Sequence, residues 1–143
     1  MKKKLKCVLL VDDDKHDNFF HQIILKKAGI ADHTEIVLNG REALDILTSK
    51  EKSGQGECYC SQPELIFLDI NMPVMDGWEF LEEYQKIKDS KKANIVIIIL
   101  TNSINPADET EAEKFIKSGC FQYKPLTLKM IDEIMEQHFP DYL

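Results

Sequence analysis

Leu65-Ile66-Phe67-Leu68-Asp69-Ile70-Asn71-Met72-Pro73-Val74-Met75-Asp76-Gly77 runs four apolar residues into one carboxylate and then into turn formers. An unbroken apolar run closed by Pro and Gly reads as a strand buried on both faces, the pattern of a parallel sheet. The first polar residue after such a strand emerges at its carboxyl end, where open α/β sheets bind their ligands. Asp69 is therefore the first candidate functional residue, with an ordinary turn or cap role as the competing reading.

A second segment has the same design. Cys7-Val8-Leu9-Leu10-Val11 ends in Asp12-Asp13-Asp14. Adjacent carboxylates repel, and holding them beside a further carboxylate is unfavourable unless a cation offsets the charge. A hard divalent ion does so, and Mg²⁺ takes one or two protein carboxylates while keeping several waters. Asp14, followed by Lys15, His16 and Asp17, reads instead as a helix N-cap with an acid three residues on.

Outward from these strands, short apolar runs alternate with helical periods. Phe20, Ile23, Ile24 and Ala28 recur at helical spacing before Gly29, which is placed to stop a helix. Residues 34–38 read as a strand and residues 41–47 as a helix. Trp78, Leu81 and Tyr84 or Gln85 mark the next helix, and residues 95–100, rich in β-branched side chains, a central strand. Ala112, Phe115 and Ile116 predict a helix, residues 120–123 a short strand, and Leu128, Ile131, Ile134 and Met135 a closing helix.

Five strands alternating with five helices predict an α/β fold, a doubly wound parallel sheet with right-handed crossovers. All strand carboxyl ends then share one edge. That edge collects Asp12 and Asp13, Asp69, Thr101 and Lys124, a set that core packing does not require.

The chain has 143 residues, 43% of them hydrophobic, and a formal charge of -7. That length suits one domain spanning 1–143, with no second domain, linker or repeat. No apolar stretch approaches the roughly 20 residues of a membrane span, and the basic start is not followed by a signal-peptide core, so a cytosolic location and no membrane partner are expected. The acidic balance argues against nonspecific nucleic-acid binding. Cys7, Cys58, Cys60 and Cys120 match neither a zinc site nor a secreted disulfide framework; Cys7 and Cys120 read as small core residues, and Cys58 and Cys60 lie in a polar loop.

Taken together, Val11-Asp12-Asp13, Asp69 in its strand and turn, Leu100-Thr101-Asn102-Ser103 and Lys124-Pro125 resemble the receiver domain of two-component response regulators. The likeness covers essentially the whole chain, and its order and long loop before Leu65 are most similar to stand-alone receivers of the bacterial phytochrome-partner type. The resemblance implies a flavodoxin-like receiver without an output domain, in which Asp69 becomes a 4-aspartylphosphate. It implies Mg²⁺ held directly by Asp13 and Asp69, through water by Asp12, and by the backbone carbonyl of Asn71. Lys124 would pair with a carboxylate or phosphate oxygen, Thr101 would be the switch hydroxyl, and Phe121 the aromatic residue that moves with it. Pro125 would follow a cis bond. The implied partner is a sensor histidine kinase or a histidine phosphotransfer protein, with residues 105–143 presenting a face to a target or a second copy, and Asn71 and Ser103 flanking the site.

Two rival readings stay open on the sequence. A Mg²⁺ phosphohydrolase of the haloacid-dehalogenase type would want an acid two positions after its nucleophile, where this chain has Asn71. A constitutive interaction module would keep the acidic rim without accepting phosphate. The expectation is a phosphoacceptor and not an enzyme.

Overall fold

Strands and helices alternate in a computed structural model that describes residues 4–48, 63–87, 95–102, 105–116 and 120–142. In chain order the elements are β1 (Leu5–Val11), α1 (Lys15–Ala28), β2 (Ala31–Val37), α2 (Gly40–Thr48), β3 (Leu65–Leu68), α3 (Gly77–Gln85), β4 (Val96–Thr101), α4 (Pro106–Ala112), β5 (Phe121–Tyr123) and α5 (Leu128–His138). The five strands form one sheet in the order β2-β1-β3-β4-β5, every pair parallel. The doubly wound α/β architecture read from the sequence is the one observed.

Side chains alternate across this sheet with the strand period of two, so β1, β3 and β4 each feed two cores. Leu9, Val11, Ile66, Leu68, Ile97 and Ile99 pack with Ala43 and Leu44 of α2 and Phe80 and Leu81 of α3. Val8, Leu10, Leu65, Phe67, Ile98 and Leu100 pack on the other face with Leu25 of α1 and Ile131, Ile134 and Met135 of α5. Being covered on both faces is why these strands read as continuous apolar runs.

Register then places the strand ends side by side. Val11 pairs with Leu68, and Leu68 with Ile99. The Asp69 N–H donates to the Val11 carbonyl at 2.9 Å, extending the ladder one residue beyond β3. Asp12 and Asp69 thus leave the sheet at the same level.

The face of α1 differs from the one expected. Asn18, His21 and Leu25 are its buried residues, while Phe20 and Ile23 are 43% and 38% exposed and Phe19 66%; Ile24 and Ala28 pack partly against the core. Apolar residues at 19, 20, 23 and 24 span too wide an arc to fix the helix's rotation. Polar contacts fix it instead: Asp14 caps the first turn, and the Asn18 side-chain amide donates to the Asp12 carbonyl at 2.9 Å.

Smaller differences lie at element ends. The strand expected at residues 34–38 begins earlier, at Ala31, because Gly29 takes the left-handed conformation at φ 66° and ends α1 sharply. Regular helix in α4 stops at Ala112, whose carbonyl accepts from both Phe115 and Ile116 N–H; those two side chains still pack against the core. Cys7 is fully buried as expected, but it is disulfide-bonded. Cys120 is buried and not disulfide-bonded, with its Sγ 3.6 Å from His138 Nε2. Cys58, Cys60 and Ser103 lie outside the described residues.

Candidate functional site

Asp12, Asp13 and Asp69 each offer a carboxylate oxygen within 4.8 Å of the others at the carboxyl edge of the sheet. Asp12 and Asp69 are buried and Asp13 is exposed. They line a cavity of about 230 Å³ together with Asp17, Asn71, Thr101 and Lys124. Asp12, Asp13, Asp69, Thr101 and Lys124, expected together on this rim from the sequence, all line the cavity; Phe121, expected as the aromatic residue that moves with Thr101, is partly buried against the core and edge-on to Tyr123. A cavity of about 260 Å³ at the opposite edge, lined by Tyr84, Val96, Phe115, Cys120 and His138, has no acidic residue in its wall among the described residues.

Lys124 is the rim's cation. Its backbone N–H donates to the Thr101 carbonyl at 2.9 Å, tying the end of β5 to the end of β4, and the bond to Pro125 is cis as expected. Its Nζ donates to Asp12 Oδ2 and to Asp17 Oδ2, both at 2.7 Å, and lies 3.7 Å from Asp69 Oδ1. Burial works against the charged ammonium, but the hydrogen bonds to Asp12 and Asp17 and the charge of Asp69 outweigh it and hold the lysine's pKa above its ordinary value.

Asp17 was missed as a site residue. The sequence placed it as the returning acid of a helix cap. Asp14 does cap α1, accepting from the His16 and Asp17 N–H groups at 2.9 and 3.0 Å. The Asp14 N–H, however, is already taken by Asp12 Oδ1 at 3.0 Å, so the Asp17 carboxylate is left to reach Lys124.

Asp69 sits where ionisation is unfavourable. Burial pushes its carboxyl up, Asp12 pushes it further, and Lys124 only partly offsets them, leaving a pKa of about 7. An acid whose folded pKa exceeds its unfolded value destabilises the fold increasingly as pH rises from about 4, fully so above about 7. The Asp69→Asn variant is therefore expected to be more stable than the wild type at pH 7.5 without divalent metal, by roughly 2–3 kcal/mol after allowing for solvent at its open side, and equal to it near pH 4. Urea midpoints measured across that range check this, and a variant no more stable at pH 7.5 than at pH 4 relative to wild type would contradict it.

The oxygen set suits a hard divalent cation. Five aspartates, three of them clustered, and Asn71 line one open cavity, with no thiol or imidazole among the lining residues; that donor chemistry matches Mg²⁺ rather than zinc. Both oxygens of Asp12 are engaged, by Asp14 N–H and Lys124, whereas Asp13 is exposed.

The turn after Asp69 is held from above by α3. Asp76 and Glu79 form a reciprocal capping box, and the Gly77 N–H donates to the Ile70 carbonyl at 2.8 Å. A β-carbon on Gly77 would lie 2.5 Å from the Asp69 carbonyl oxygen. The helix starts against the backbone of the acidic residue itself. Thr101, at the end of β4, is completely buried.

Comparison with known proteins agrees with this geometry. A family model described as the response regulator receiver domain matches residues 8–136. The response regulator Rcp1 of Synechocystis is 34% identical over 92% of this chain and 84% of its own length. A crystal structure of a two-component response regulator from Cytophaga hutchinsonii superposes with a TM-score of 0.79 at 26% identity, covering 96% of this chain and 99% of that one. The phosphorylated cyanobacterial phytochrome response regulator RcpA superposes at 0.70 with 27% identity, over 92% and 89% of the two chains. The chain belongs to the response regulator receiver domain family and so to the phosphorylation-based signalling of two-component systems.

Proposed function

We propose that Asp69 is the phosphoacceptor, that the rim binds Mg²⁺, and that the protein receives a phosphoryl group rather than turning over a substrate. The observation that carries this is the convergence of Asp12, Asp13 and Asp69 within 4.8 Å with the Lys124 ammonium 3.7 Å from Asp69. An Asp69 carboxylate oxygen attacks phosphorus, and the bond from phosphorus to the donor's leaving atom breaks with its electron pair. From a phosphohistidine that atom is an imidazole nitrogen.

Asp13, Asp69 and the Asn71 carbonyl would hold the metal directly and Asp12 through water. When bound, Mg²⁺ supplies neutralisation of charge on the transferred group. Lys124 contributes a compact positive charge from the opposite side. The Thr101 hydroxyl donates to a phosphoryl oxygen once one is present, and Phe121 repacks with it; this favours one of two arrangements of the rim around β4, β5 and α5. Asn71 stands where a phosphohydrolase of the haloacid-dehalogenase type would need its acid, and an amide cannot supply that proton.

The direct test uses acetyl phosphate with Mg²⁺ and reads intact mass. One phosphoryl increment, labile to hydroxylamine and absent when the metal is chelated, is the expected result. Steady release of phosphate from generic phosphate esters would instead favour the hydrolase.

Phosphotransfer also needs a protein donor. Phe19, Phe20 and Ile23 are exposed on α1, the helix that delivers Asp17 to the rim, and contiguous exposed apolar residues beside a site mark a docking surface. A histidine kinase or phosphotransfer protein seated there would present its phosphohistidine to Asp69. Substituting Phe19→Asp is expected to slow transfer from such a donor at least about tenfold while leaving acetyl phosphate labelling within about twofold. Equal losses with both donors would mean the residue supports the fold, not the contact. The face formed by residues 105–143, where Tyr123 and Leu128 are exposed, remains the proposed surface for a target or a second copy.

A further inference from the structure

Lys124 has three N–H donors, and their present use is uneven. Two are committed at 2.7 Å, to Asp12 Oδ2 and Asp17 Oδ2, while Asp69 Oδ1 at 3.7 Å lies beyond hydrogen-bond length. The lysine side chain is 6% exposed, so water is a poor substitute for either carboxylate. Asp12 is fixed from both sides, because its other oxygen accepts the Asp14 N–H. Asp17 is held differently. Its carboxylate is 30% exposed and hangs from the first turn of α1, which Asp14 caps without its help.

We propose that Asp17 is a positioning residue for the phosphoryl site: it holds the Lys124 ammonium away from Asp69 in the resting protein and gives it up when a phosphoryl group occupies the rim. This rests on the reading of Asp69 as acceptor and adds a competitor to it. A phosphoryl group brings oxygens that bind an ammonium more strongly than a shared carboxylate does. Of the two present partners, the more exposed one, Asp17, exchanges its lysine for water at the smaller cost. Lys124 therefore turns from Asp17 towards the phosphoryl oxygen while keeping Asp12. Asp17 sets how much that turn costs, and the turn frees the end of α1 that carries Phe19, Phe20 and Ile23.

An amide at this position keeps the shape but removes the charge that holds the lysine. Asp17→Asn is thus expected to tighten binding of beryllium fluoride, a phosphoryl mimic, about three- to tenfold in saturating Mg²⁺, measured by calorimetric titration. Removing a negative charge also reduces repulsion of any anion, so the same substitution is repeated in a Lys124→Met background. There the gain is expected to shrink to within about twofold of unity, because the cycle isolates the coupling between the two side chains. Midpoints of thermal unfolding and Mg²⁺ affinity are measured on all four proteins; damage to the fold would weaken the metal and the mimic together.

Weaker or unchanged mimic binding in Asp17→Asn, or an equal gain in both backgrounds, overturns the proposal while leaving Asp69 as acceptor. A wild type that neither binds beryllium fluoride with Mg²⁺ nor takes a phosphoryl group from acetyl phosphate removes the acceptor reading and this one with it. Rescue provides a further check: Asp17→Glu, which restores the charge, is expected to return mimic affinity towards the wild-type value.

Discussion

Replacing Asp69 by Ala is expected to reduce labelling by acetyl phosphate about a thousandfold or more, to the background of the uncatalysed reaction, without unfolding the protein. On the proposed role of Asp69 the loss is near complete, because no neighbouring carboxylate among the described residues is placed to take over. Asp12 is engaged through both oxygens by the Asp14 N–H and Lys124. Asp17 is bound to the same lysine. Asp13 is exposed, where water competes and the carboxylate has no positioned partner for the departing group. The variant also relieves the unfavourable burial that lifts the Asp69 carboxyl to about 7, so its fold should withstand the change. Intact mass and peptide mapping of the labelled protein make the measurement. Undiminished incorporation in Asp69→Ala would sink the assignment, and incorporation moved to Asp13 would show the rim to be less selective than its hydrogen bonds imply.

Gly77→Ala is expected to be the most disruptive single-methyl change near the site. The added β-carbon would meet the Asp69 carbonyl oxygen at 2.5 Å and the Ile70 α-carbon at 2.9 Å. Both are backbone atoms of the segment that ends β3, so no side-chain rotation relieves the clash. Either α3 lifts off the sheet, loosening Phe80 and Leu81 from the core, or Asp69 is pushed out of register with Asp12. Overpacking of this kind costs about 2–3 kcal/mol, which for a chain of this size lowers the thermal midpoint by roughly 5–10 °C. Phosphorylation should fall as well, because a displacement of a few tenths of an ångström in the nucleophile is costly to a reaction that depends on alignment. Unfolding scans and acetyl phosphate labelling check the two consequences separately. A variant with wild-type stability and labelling would mean that the helix start accommodates a β-carbon, against the contact distances.

The same site shows which of its properties were legible in the chain. Leu65–Leu68 was readable as a strand to the residue, because burial on both faces leaves no polar position inside it. The acids at 12, 13 and 69 were readable as neighbours, because a parallel sheet sends every strand's carboxyl end to one edge. Lys124 followed from the same rule. Less legible was the rotation of α1, where too many apolar residues for one face made the hydrophobic pattern ambiguous and the Asn18 and Asp14 hydrogen bonds decided it.

By itself, then, the sequence determined the layers and the strand edge on which chemistry gathers, since these follow from periodicity and from residue types at strand ends; the family rested on the likeness of its motifs to receiver domains. Tertiary structure alone decided how the charges on that edge are shared. Asp17 looks like a capping acid when only its near neighbours are considered; folding brings Lys124 from 107 positions away to within 2.7 Å, and the Asp14 N–H that a capping acid would seek is already spoken for by Asp12. Local patterns fix which hydrogen bonds a side chain is able to make. Competition among partners distant in sequence fixes which one it does make, and that is settled only when the chain has folded.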